Sequence, residues 1–520
     1  MNQSLWQDRS NEDIECCLPL NSLLLKFRRY GPYDRRAIAS HAVPAGQVLV
    51  RNVPLAFAVH NRDERCAACF QKHETLMRCS KCRETWYCSR ECQVQDFPLH
   101  RMECREGSSA QLFGSEDWQH NARLLLRTFL KLHNPEKEEC SVLQNFAGDK
   151  NNMMQTCSCS RRHFFQLQPS QSSLDPHDFR ILQTASRMIR NQSRLLEKMG
   201  IDITSDPGWL EHTLENILRR FRVNNFGMVD TMVRLVGGGV YPLGALLNHS
   251  CAPNCILRYT DRGVLEIVAA RNIAESEELT HSYVELVAPT RKRQDHLQHV
   301  YGFSCQCSRC RGDKVSLPLD YKSMHREKLI GWILDRYNPN PTTSQRSPDE
   351  SMGRASKVIE VSLDYLLQPD LIDDCAIQRA SVLQQQAKLA MAHDDISAEL
   401  FHLTQAVDLL QGHPPNGEQL FSLELYQVLC QRLSSSLIAA EGLDETVLDC
   451  RHIVAILCLA FSQTPNHPLL GLQLFTLGDL YQAIQQTDRA NIVYQWALDT
   501  LIISQGPDSD MVQMLREKLT

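Results

Sequence analysis

The 520-residue sequence has no long apolar run, since no stretch approaches the ~20 apolar residues that a helix needs to cross a bilayer. Its first segment, MNQSLWQDRSNEDIECC, is polar and acidic and lacks the apolar core of a secretory signal. The sequence also lacks an excess of positive charge, because 55 Lys and Arg residues against 61 Asp and Glu residues give a net charge of −6. We therefore expect an intracellular, soluble protein with no polyanionic partner.

Clusters of basic residues are equally scarce. Arg291-Lys292-Arg293 is too short for a nuclear import signal and falls in a predicted helix. In the cysteine-rich stretch at 66–104, six Lys and Arg residues stand against five Asp and Glu residues. This balance argues against nucleic-acid binding there. We expect a monomer that works in the cytoplasm and the nucleus.

Cysteine, by contrast, is abundant, with 21 residues. Seven cysteines and one histidine form four short steps, namely Cys66/Cys69, Cys79/Cys82, Cys88/Cys92 and His100/Cys104. Structural zinc takes four Cys or His donors, and one tight turn can supply two of them. The spacing therefore predicts two zinc sites. A disulfide framework or scattered buried thiols are the alternatives, but neither explains a histidine in step with the cysteines.

A second cluster lies later in the chain, where Cys305, Cys307 and Cys310 form Cys-x-Cys-x-x-Cys. Structural zinc needs a fourth ligand. The best candidate is Cys251 in LLNHSCAPNC, and Cys255 competes with it. Chance proximity of three thiols in sequence is the alternative.

The hydrophobic pattern divides the chain. Apolar runs typical of strands occupy 20–60 and 226–285, and helical periodicity occupies 107–221 and most of the chain after 357. Because the strands are separated by a zinc module and a helical segment, we expect one discontinuous domain. A polar stretch at 140–175 predicts a mobile loop in which Cys157 and Cys159 are incidental, and 337–357 predicts a linker.

The cysteine ladder RCAACFQKHETLMRCSKCRETWYCSRECQVQDFPLHRMEC resembles a MYND zinc finger, in which two zinc sites interleave. That resemblance implies one site made of Cys66, Cys69, Cys88 and Cys92, and a second made of Cys79, Cys82, His100 and Cys104.

Three further segments resemble the SET methyltransferase core with its post-SET zinc: NHSCAPN at 248–254, EELTHSYVEL at 277–286 and YGFSCQCSRC at 301–310. The order of segments is similar to that of the SMYD family of SET-MYND proteins from about Leu24 to Cys310, and weakly beyond. The resemblance implies that Cys251 completes the third zinc site with Cys305, Cys307 and Cys310.

The family resemblance implies an α+β fold, in which a SET β-fold is split by a MYND zinc finger and a helical insert and is followed by an all-α, TPR-like C-terminal domain. The implied boundaries are 20–65 for the SET N-terminal part, 66–104 for the finger, 105–220 for the helical insert, 221–300 for the SET core, 301–314 for the post-SET zinc segment and 315–520 for the C-terminal helices.

The resemblance further implies an S-adenosylmethionine-dependent protein-lysine N-methyltransferase acting on a histone or another protein. By the family pattern, the catalytic residues are Tyr283, which orients the amine, and Tyr301, which lines the lysine channel. The implied cofactor-binding residues are Asn224, Asn248, His249, Tyr283 and Phe303.

One segment departs from the family. Asp34 and Arg36 stand where the first SET strand carries two glycines, and Ser276 replaces the glycine of a Gly-Glu-Glu-Leu turn. Arg36 could block the cofactor pocket or bind the cofactor carboxylate. The alternative function is a catalytically weak or inactive scaffold that recruits partners, such as proline-rich peptides or chaperone tails, for example in transcriptional repression.

The C-terminal region shows a possible repeat. Leu477-Gly478, Tyr481, Ala490, Tyr494 and Ala497 fall at offsets that resemble a tetratricopeptide helix pair, and a weaker echo leads to Leu425-Tyr426. We expect two degenerate helical repeats, with a generic helical bundle as the alternative.

Overall fold

The computed structural model describes residues 24–30, 34–60, 63–104, 117–133, 156–157, 160–192, 196–197, 200–203, 206, 208–312, 314–318, 324–339, 358–362, 366, 374–411, 421–440 and 442–520. The chain divides into two compact units, each discontinuous in sequence. The first unit comprises Met1–Asn248, Cys255–His281 and Val300–Gly302, and the second comprises His249–Asn254, Ser282–His299 and Phe303–Thr520. Among the helices of the described ranges, none combines the length and the apolar character that a membrane span requires.

The first unit combines short strands with a layer of helices. Its strands are β1 (Leu25–Arg29), β2 (Arg35–Ala39), β3 (Val48–Asn52), β4 (Ala56–Val59), β5 (Met77–Arg78), β6 (Trp86–Tyr87), β7 (Thr156–Cys157), β8 (Asn225–Val229) and β9 (Leu235–Val240), then β10 (Asn248–His249) at the sequence boundary, β11 (Cys255–Tyr259), β12 (Leu265–Ala269) and β13 (Thr280–His281). Its helices are α1 (Arg90–Glu103), α2 (Asp117–Leu132), α3 (Ser160–Phe165), α4 (Pro176–Arg190) and α5 (Trp209–Asn224).

Small sheets form the centre of the first unit. Strands pair in the orders β1-β2, β11-β12-β3-β7, β4-β9-β8 and β5-β6, and only the β3–β7 pair among these is parallel. Strand β12 lies between two neighbours and is buried over its whole length. Its one charged residue, Glu266, accepts a hydrogen bond from Arg51 at 2.5 Å and is also paired with Arg258. The strands expected at 20–60 and 226–285 are therefore present.

Two helices close this core because their apolar residues fall on one face. In α5, Leu210, Leu214, Ile217, Leu218 and Phe221 are buried at helical spacing. Helix α2 is buried along most of its length. These are the helices that the periodicity of WLEHTLENILRRF and NARLLLRTFLKL predicts.

The predicted loop at 140–175 is wrong for part of its length. Residues 156–157 form β7, which pairs with β3, and residues 160–165 form α3, which buries Phe164 and Phe165. These elements are short and are themselves largely polar apart from the two phenylalanines, so composition does not predict them. Cys157 lies in β7, whereas Cys159 lies outside the described residues.

The second unit is mainly helical. It contains α6 (Thr290–His296), α7 (Arg326–Tyr337), α8 (Asp374–Ala392), α9 (Ile396–Gln411), α10 (Leu423–Ala439), α11 (Leu443–Ala460), α12 (Pro468–Ala483), α13 (Thr487–Gln505) and α14 (Asp510–Leu519). Gly478 of α12 lies against Tyr494 of α13, where an added Cβ would come within 2.4 Å of the ring. The predicted Gly478 and Tyr494 thus allow two helices to approach closely, which is compatible with a repeat but does not distinguish it from a bundle.

The expectation of an all-helical region from 315 onward needs one correction. Strand β14 (Lys314–Pro318) pairs antiparallel with β15 (Val358–Ser362). Both segments alternate β-branched or apolar residues with polar ones, which favours strands. The strands are joined by a long polar stretch, so their pairing is not visible from local sequence. The predicted linker at 337–357 falls, from residue 340 onward, outside the described residues.

Candidate active site and zinc centres

The first two predicted zinc sites are assembled in the finger of the first unit. The ligand atoms of Cys66, Cys69, Cys88 and Cys92 all lie within 4.8 Å of one another. The sulfur of Cys88 is 3.7 Å from that of Cys69 and 3.5 Å from that of Cys92. Tetrahedral zinc with Zn–S bonds of about 2.3 Å separates two sulfurs by about 3.8 Å. The four donors therefore fit zinc.

The second set joins Cys79, Cys82, His100 and Cys104, again within 4.8 Å. The sulfurs of Cys79 and Cys104 are 3.7 Å apart, and Cys82 Sγ is 3.5 Å from His100 Nε2. All four residues are buried. A mixed sulfur and imidazole set at these distances also fits tetrahedral zinc.

Helix α1 explains why the two sites interleave. The Ser89 side chain caps its first turn by accepting a hydrogen bond from the backbone N–H of Cys92. Cys92 and His100 lie on this helix eight residues apart, which corresponds to about 12 Å along the axis. One ion cannot bind both residues, so the two ends of α1 serve different sites.

A buried charge cluster beside the second site escaped the sequence analysis. The Glu103 carboxylate accepts hydrogen bonds from Arg123 Nε at 3.0 Å and from Arg127 Nε at 2.6 Å. Arg127 also donates to Asp96 at 2.9 Å, and Asp96 accepts from the Tyr87 hydroxyl at 2.9 Å. Burial alone would raise the pKa of Glu103, but the two guanidinium groups hold that pKa well below its usual value. The only sequence signal was the pair of arginines one helical turn apart within an apolar helix.

The third predicted site lies in the second unit. Cys251, Cys305, Cys307 and Cys310 have their sulfurs within 4.8 Å of one another, and the sulfurs of Cys251 and Cys310 are 3.5 Å apart. The competitor, Cys255, lies instead in β11 of the first unit. Four thiolates at tetrahedral spacing again fit structural zinc.

Two side chains that the sequence analysis missed fix the loops around this third site. Gln294 on α6 accepts from the backbone N–H of Cys305 at 2.8 Å and donates to its carbonyl at 2.7 Å. Arg309 is buried and donates to the carbonyl oxygens of Leu286, Ala460 and Cys251 at 2.6, 3.0 and 3.4 Å. Arg309 lies inside the Cys-x-Cys-x-x-Cys motif, and nothing in the sequence at this position predicts that its side chain is buried.

Three predicted site residues come together beside the same cluster. His249 Nδ1 accepts a hydrogen bond from the backbone N–H of Tyr283 at 3.0 Å, and His249 Nε2 lies 3.2 Å from Cys251 Sγ. The ring centre of His249 is 5.2 Å from that of Tyr283 and 6.1 Å from that of Phe303. Within the second unit, the zinc cluster and the predicted catalytic tyrosine are thus connected through one imidazole.

The other predicted site residues belong to the first unit. Asn248 Nδ2 donates to the carbonyl oxygen of Arg35 at 2.9 Å and to Glu278 Oε1 at 2.8 Å. Asn224 ends α5, and its Nδ2 donates to the carbonyl oxygens of Arg220 at 2.7 Å and Gln168 at 3.0 Å. The amide nitrogens of both asparagines are therefore engaged by the protein itself, so a ligand would meet them through their Oδ1 atoms.

Tyr301 also belongs to the first unit and is half-buried. Burial raises the pKa of its hydroxyl, so this group remains a neutral phenol near neutral pH. A neutral phenol can both donate and accept a hydrogen bond, as an aromatic lining of a lysine channel requires.

The two residues that replace the family glycines bind each other. Arg36 donates from Nε and Nη2 to the Asp34 carboxylate at 2.8 and 2.7 Å, and its Nη1 lies 3.8 Å from Glu278 Oε2. The hydrogen bond from Arg36 lowers the pKa of Asp34. Ser276 adopts the left-handed region at φ 64°, a conformation that favours glycine, which gives a physical reason for the glycine of the family at this turn.

Comparison with known proteins finds one family model, several relatives and solved structures of similar chains. The MYND finger family matches residues 66–104. Histone-lysine N-methyltransferase ASHR1 of Arabidopsis thaliana is 26% identical over 483 residues, which cover 91% of this chain and 90% of that protein. N-lysine methyltransferase SMYD2 of Sus scrofa is 30% identical over 267 residues, or 48% of this chain and 52% of that protein.

Histone-lysine N-methyltransferase SMYD3 of Mus musculus is 29% identical over 302 residues, covering 55% of this chain and 61% of that protein. The match thus spans about half to three fifths of these two animal proteins and most of the plant protein. Among solved structures, Rubisco LSMT bound to AdoMet aligns over 99% of this chain and 98% of its own, with 14% identity and a TM-score of 0.29, a similarity too low to assign a fold.

Proposed function

We propose that this chain is a member of the SMYD family of SET and MYND domain proteins and acts as an S-adenosylmethionine-dependent protein-lysine N-methyltransferase. The observation that carries the proposal is the group formed by His249, Tyr283 and Phe303 beside the Cys251 cluster. Through His249, this group connects the loop that carries Tyr283 to the four cysteines of the Cys251 cluster. The MYND finger, with two further sets of zinc ligands, completes the family pattern.

The proposed chemistry assigns a separate task to each side chain. When bound, S-adenosylmethionine supplies an electrophilic methyl group on a sulfonium. In the second unit, the Tyr283 hydroxyl would orient a substrate amine, and Phe303 would pack on the apolar surface of the cofactor. In the first unit, the ring of Tyr301 would exclude water from a lysine side chain, which lowers the pKa of the lysine and favours the reactive neutral amine. The Oδ1 atoms of Asn224 and Asn248, also in the first unit, would accept hydrogen bonds from the ammonium group of the cofactor.

His249 belongs to the same proposed cofactor region but contributes differently. Both of its ring nitrogens already have neighbours in the second unit, namely the Tyr283 backbone and Cys251. We therefore assign any contact of His249 with the cofactor to its backbone or to its ring face.

A second candidate function is a scaffold with weak or no catalysis that recruits protein partners such as proline-rich peptides or chaperone tails. Asp34 and Arg36 favour it, because two charged side chains stand where glycines allow close approach of the cofactor in the family. For either function we propose a monomer that acts on proteins in the cytoplasm and the nucleus.

Methyl transfer from labelled S-adenosylmethionine to histones and to a cytosolic protein pool tests the enzyme. Wild-type protein should label a substrate, and Tyr283→Phe should lower the rate by about a hundred-fold because the amine loses its orienting hydroxyl. Tyr337→Phe, on α7, is the matched control and should retain the wild-type rate. Calorimetry with the cofactor completes the test, since a zinc-loaded chain that gives no binding heat and no labelling would be the scaffold.

A further inference from the structure

His249 lies between two features of the second unit, the Cys251 cluster and the loop that carries Tyr283. Its Nδ1 is 3.0 Å from the backbone nitrogen of Tyr283, and its Nε2 is 3.2 Å from Cys251 Sγ. Cys251 is one of the four thiol ligands of the third zinc-type cluster. One imidazole therefore contacts both the proposed metal site and the loop that carries the proposed catalytic tyrosine.

The direction of these two hydrogen bonds follows from elementary chemistry. A backbone N–H can only donate, so Nδ1 must be the accepting nitrogen of the ring. A neutral imidazole with an accepting Nδ1 carries its hydrogen on Nε2. Nε2–H then points at Cys251 Sγ and donates to it. Because each bond requires the same tautomer, the two contacts support each other.

The cluster provides a reason for such a donor. Zinc with four thiolates carries a net charge of −2, and hydrogen bonds to the sulfurs reduce the charge that they place on one another. Arg293 provides a second group of this kind, with Nη2 4.0 Å from Cys310 Sγ. Without the metal, the Cys251 side chain would no longer be held in place together with the three other cysteines, and the His249 ring would lose the contact that fixes its orientation.

We propose that His249 is a positioning residue that couples zinc occupancy of the Cys251 cluster to the placement of Tyr283. Zinc fixes the Cys251 thiolate, the thiolate orients the imidazole, and the imidazole holds the Tyr283 backbone through Nδ1. The assignment of Tyr283 as the residue that benefits rests on the proposed methyltransferase function. The coupling itself is a property of the protein without substrate.

Two substitutions separate the two contacts. His249→Asn places an amide oxygen near the position of Nδ1, which keeps the acceptor for Tyr283 and removes the donor to Cys251. His249→Gln places an amide nitrogen near the position of Nε2, which keeps the donor to Cys251 and removes the acceptor for Tyr283. His393→Asn, at an exposed position after α8, is the control.

Three measurements on the full-length, zinc-loaded chain distinguish the contact of His249 with Cys251 from its contact with Tyr283. His249→Asn should release zinc to a chromophoric chelator faster than wild type by about ten-fold, as is typical for loss of a partner of a metal ligand. His249→Gln should release zinc at the wild-type rate but exchange the Tyr283 amide hydrogen about ten-fold faster, because that amide has lost its acceptor. In the methylation assay, His249→Gln should lower kcat, with the KM for the protein substrate unchanged.

The wild-type chain offers a test that needs no variant. Partial chelation of its zinc should accelerate exchange at the Tyr283 amide, whereas chelation of His249→Gln should add nothing at that position. The proposal is overturned if His249→Gln leaves the Tyr283 amide as protected as it is in wild type, or if zinc removal from wild type leaves the Tyr283 amide protected. If amide exchange and zinc release behave as expected but no protein is methylated, the coupling holds and the proposed function fails.

Discussion

Arg36 is a charged residue at a position where the family has a glycine, and its side chain is bound by neighbouring carboxylates. Its guanidinium group binds Asp34 through two hydrogen bonds and lies near Glu278, so its charge is matched within the first unit. The hydrogen bond that Arg36 donates to Asp34 raises the pKa of Arg36 and keeps it charged. The two departures from the family therefore compensate each other.

This pairing predicts the effect of removing the arginine. Both side chains are more than two fifths exposed, at 41% for Arg36 and 43% for Asp34, and exposed ion pairs contribute about 1 kcal/mol or less. Arg36→Ala should therefore change the dissociation constant for S-adenosylmethionine by less than about five-fold. The midpoint of its unfolding transition should equal that of wild type within experimental error. Calorimetric titration of the variant and wild type measures both the affinity and the stoichiometry.

Lys26→Ala on the adjacent strand β1 is the control, since it is exposed and removes a positive charge at a second position. A loss of affinity of a hundred-fold in Arg36→Ala alone would mean that Arg36 binds the cofactor carboxylate directly. A gain of that size would mean that Arg36 obstructs the cofactor.

At the scale of single residues, a role could be predicted from the sequence where the spacing of the residues indicates one kind of chemistry. The spacing of the twelve metal-type ligands predicts zinc binding, whereas their grouping into sets of four was implied by the family resemblance, and the structure brings the same sets together. The partners of His249, Arg309 and Glu103 could not be predicted, since most of these hydrogen bonds join residues distant in sequence. A histidine that lies near a cysteine in the sequence does not indicate which atoms its ring will contact.

At the scale of elements, the finger helix α1 and helix α2 share a buried ionic cluster. Glu103 is fully enclosed and receives hydrogen bonds from both Arg123 and Arg127. Glu103→Gln would leave the two buried guanidinium groups with the carboxylate of Asp96, which binds Arg127. Removal of one partner of a buried ion pair typically costs about 3–5 kcal/mol, so we expect a loss of unfolding free energy of that size.

The control for this prediction is the same change at an exposed pair. Glu211 binds Arg190 through two hydrogen bonds at 2.7 and 2.9 Å, but both side chains are about half exposed. Glu211→Gln should therefore cost about 1 kcal/mol or less. Urea denaturation of both variants at constant zinc concentration measures the difference, and equal losses would contradict the role of burial.

Elements were predictable where their pattern is local. Helix α5 follows from apolar residues at helical spacing, and the strands at 20–60 follow from apolar runs with a turn at Gly46, which has a φ of 83°. Strands β14 and β15 were missed because each is only five residues long and gains its stability from the other. A short alternating run between helices carries too little information to predict a distant partner.

At the scale of the whole molecule, the two units are interleaved along the sequence, so that neighbouring residues such as Asn248 and His249 belong to different units. Periodicity and composition predict that the two strand regions are separated by other segments, but they do not predict which segments assemble into the same unit. The family resemblance supplied the sets of ligands, and the structure assigns Cys251 and the 305–310 segment to the same unit. Such assembly depends on contacts between distant segments, which a local pattern does not record.

Arg309 is the residue that joins the distant segments of the second unit. Its guanidinium donates to carbonyl oxygens of Cys251 in the zinc loop, Leu286 after the proposed catalytic tyrosine, and Ala460 at the end of α11. Arg309→Met keeps the apolar stem but leaves three buried carbonyl groups without this donor. Since an unsatisfied buried polar group costs about 1–3 kcal/mol, we expect the variant to lose about 3 kcal/mol of unfolding free energy.

Arg311→Met tests whether this effect belongs to the buried position. Arg311 is two residues away and exposed, and its Nε donates to the Gln306 carbonyl at 2.7 Å. The control should lose about 0.5 kcal/mol or less, as is usual for a surface substitution. Urea denaturation and limited proteolysis at saturating zinc should therefore separate the two variants, with cleavage near residues 251, 286 and 460 accelerated only in Arg309→Met. If the two variants unfold at the same urea concentration, Arg309 does not hold these segments together, and the stability of the second unit must come from its helix packing and its metal alone.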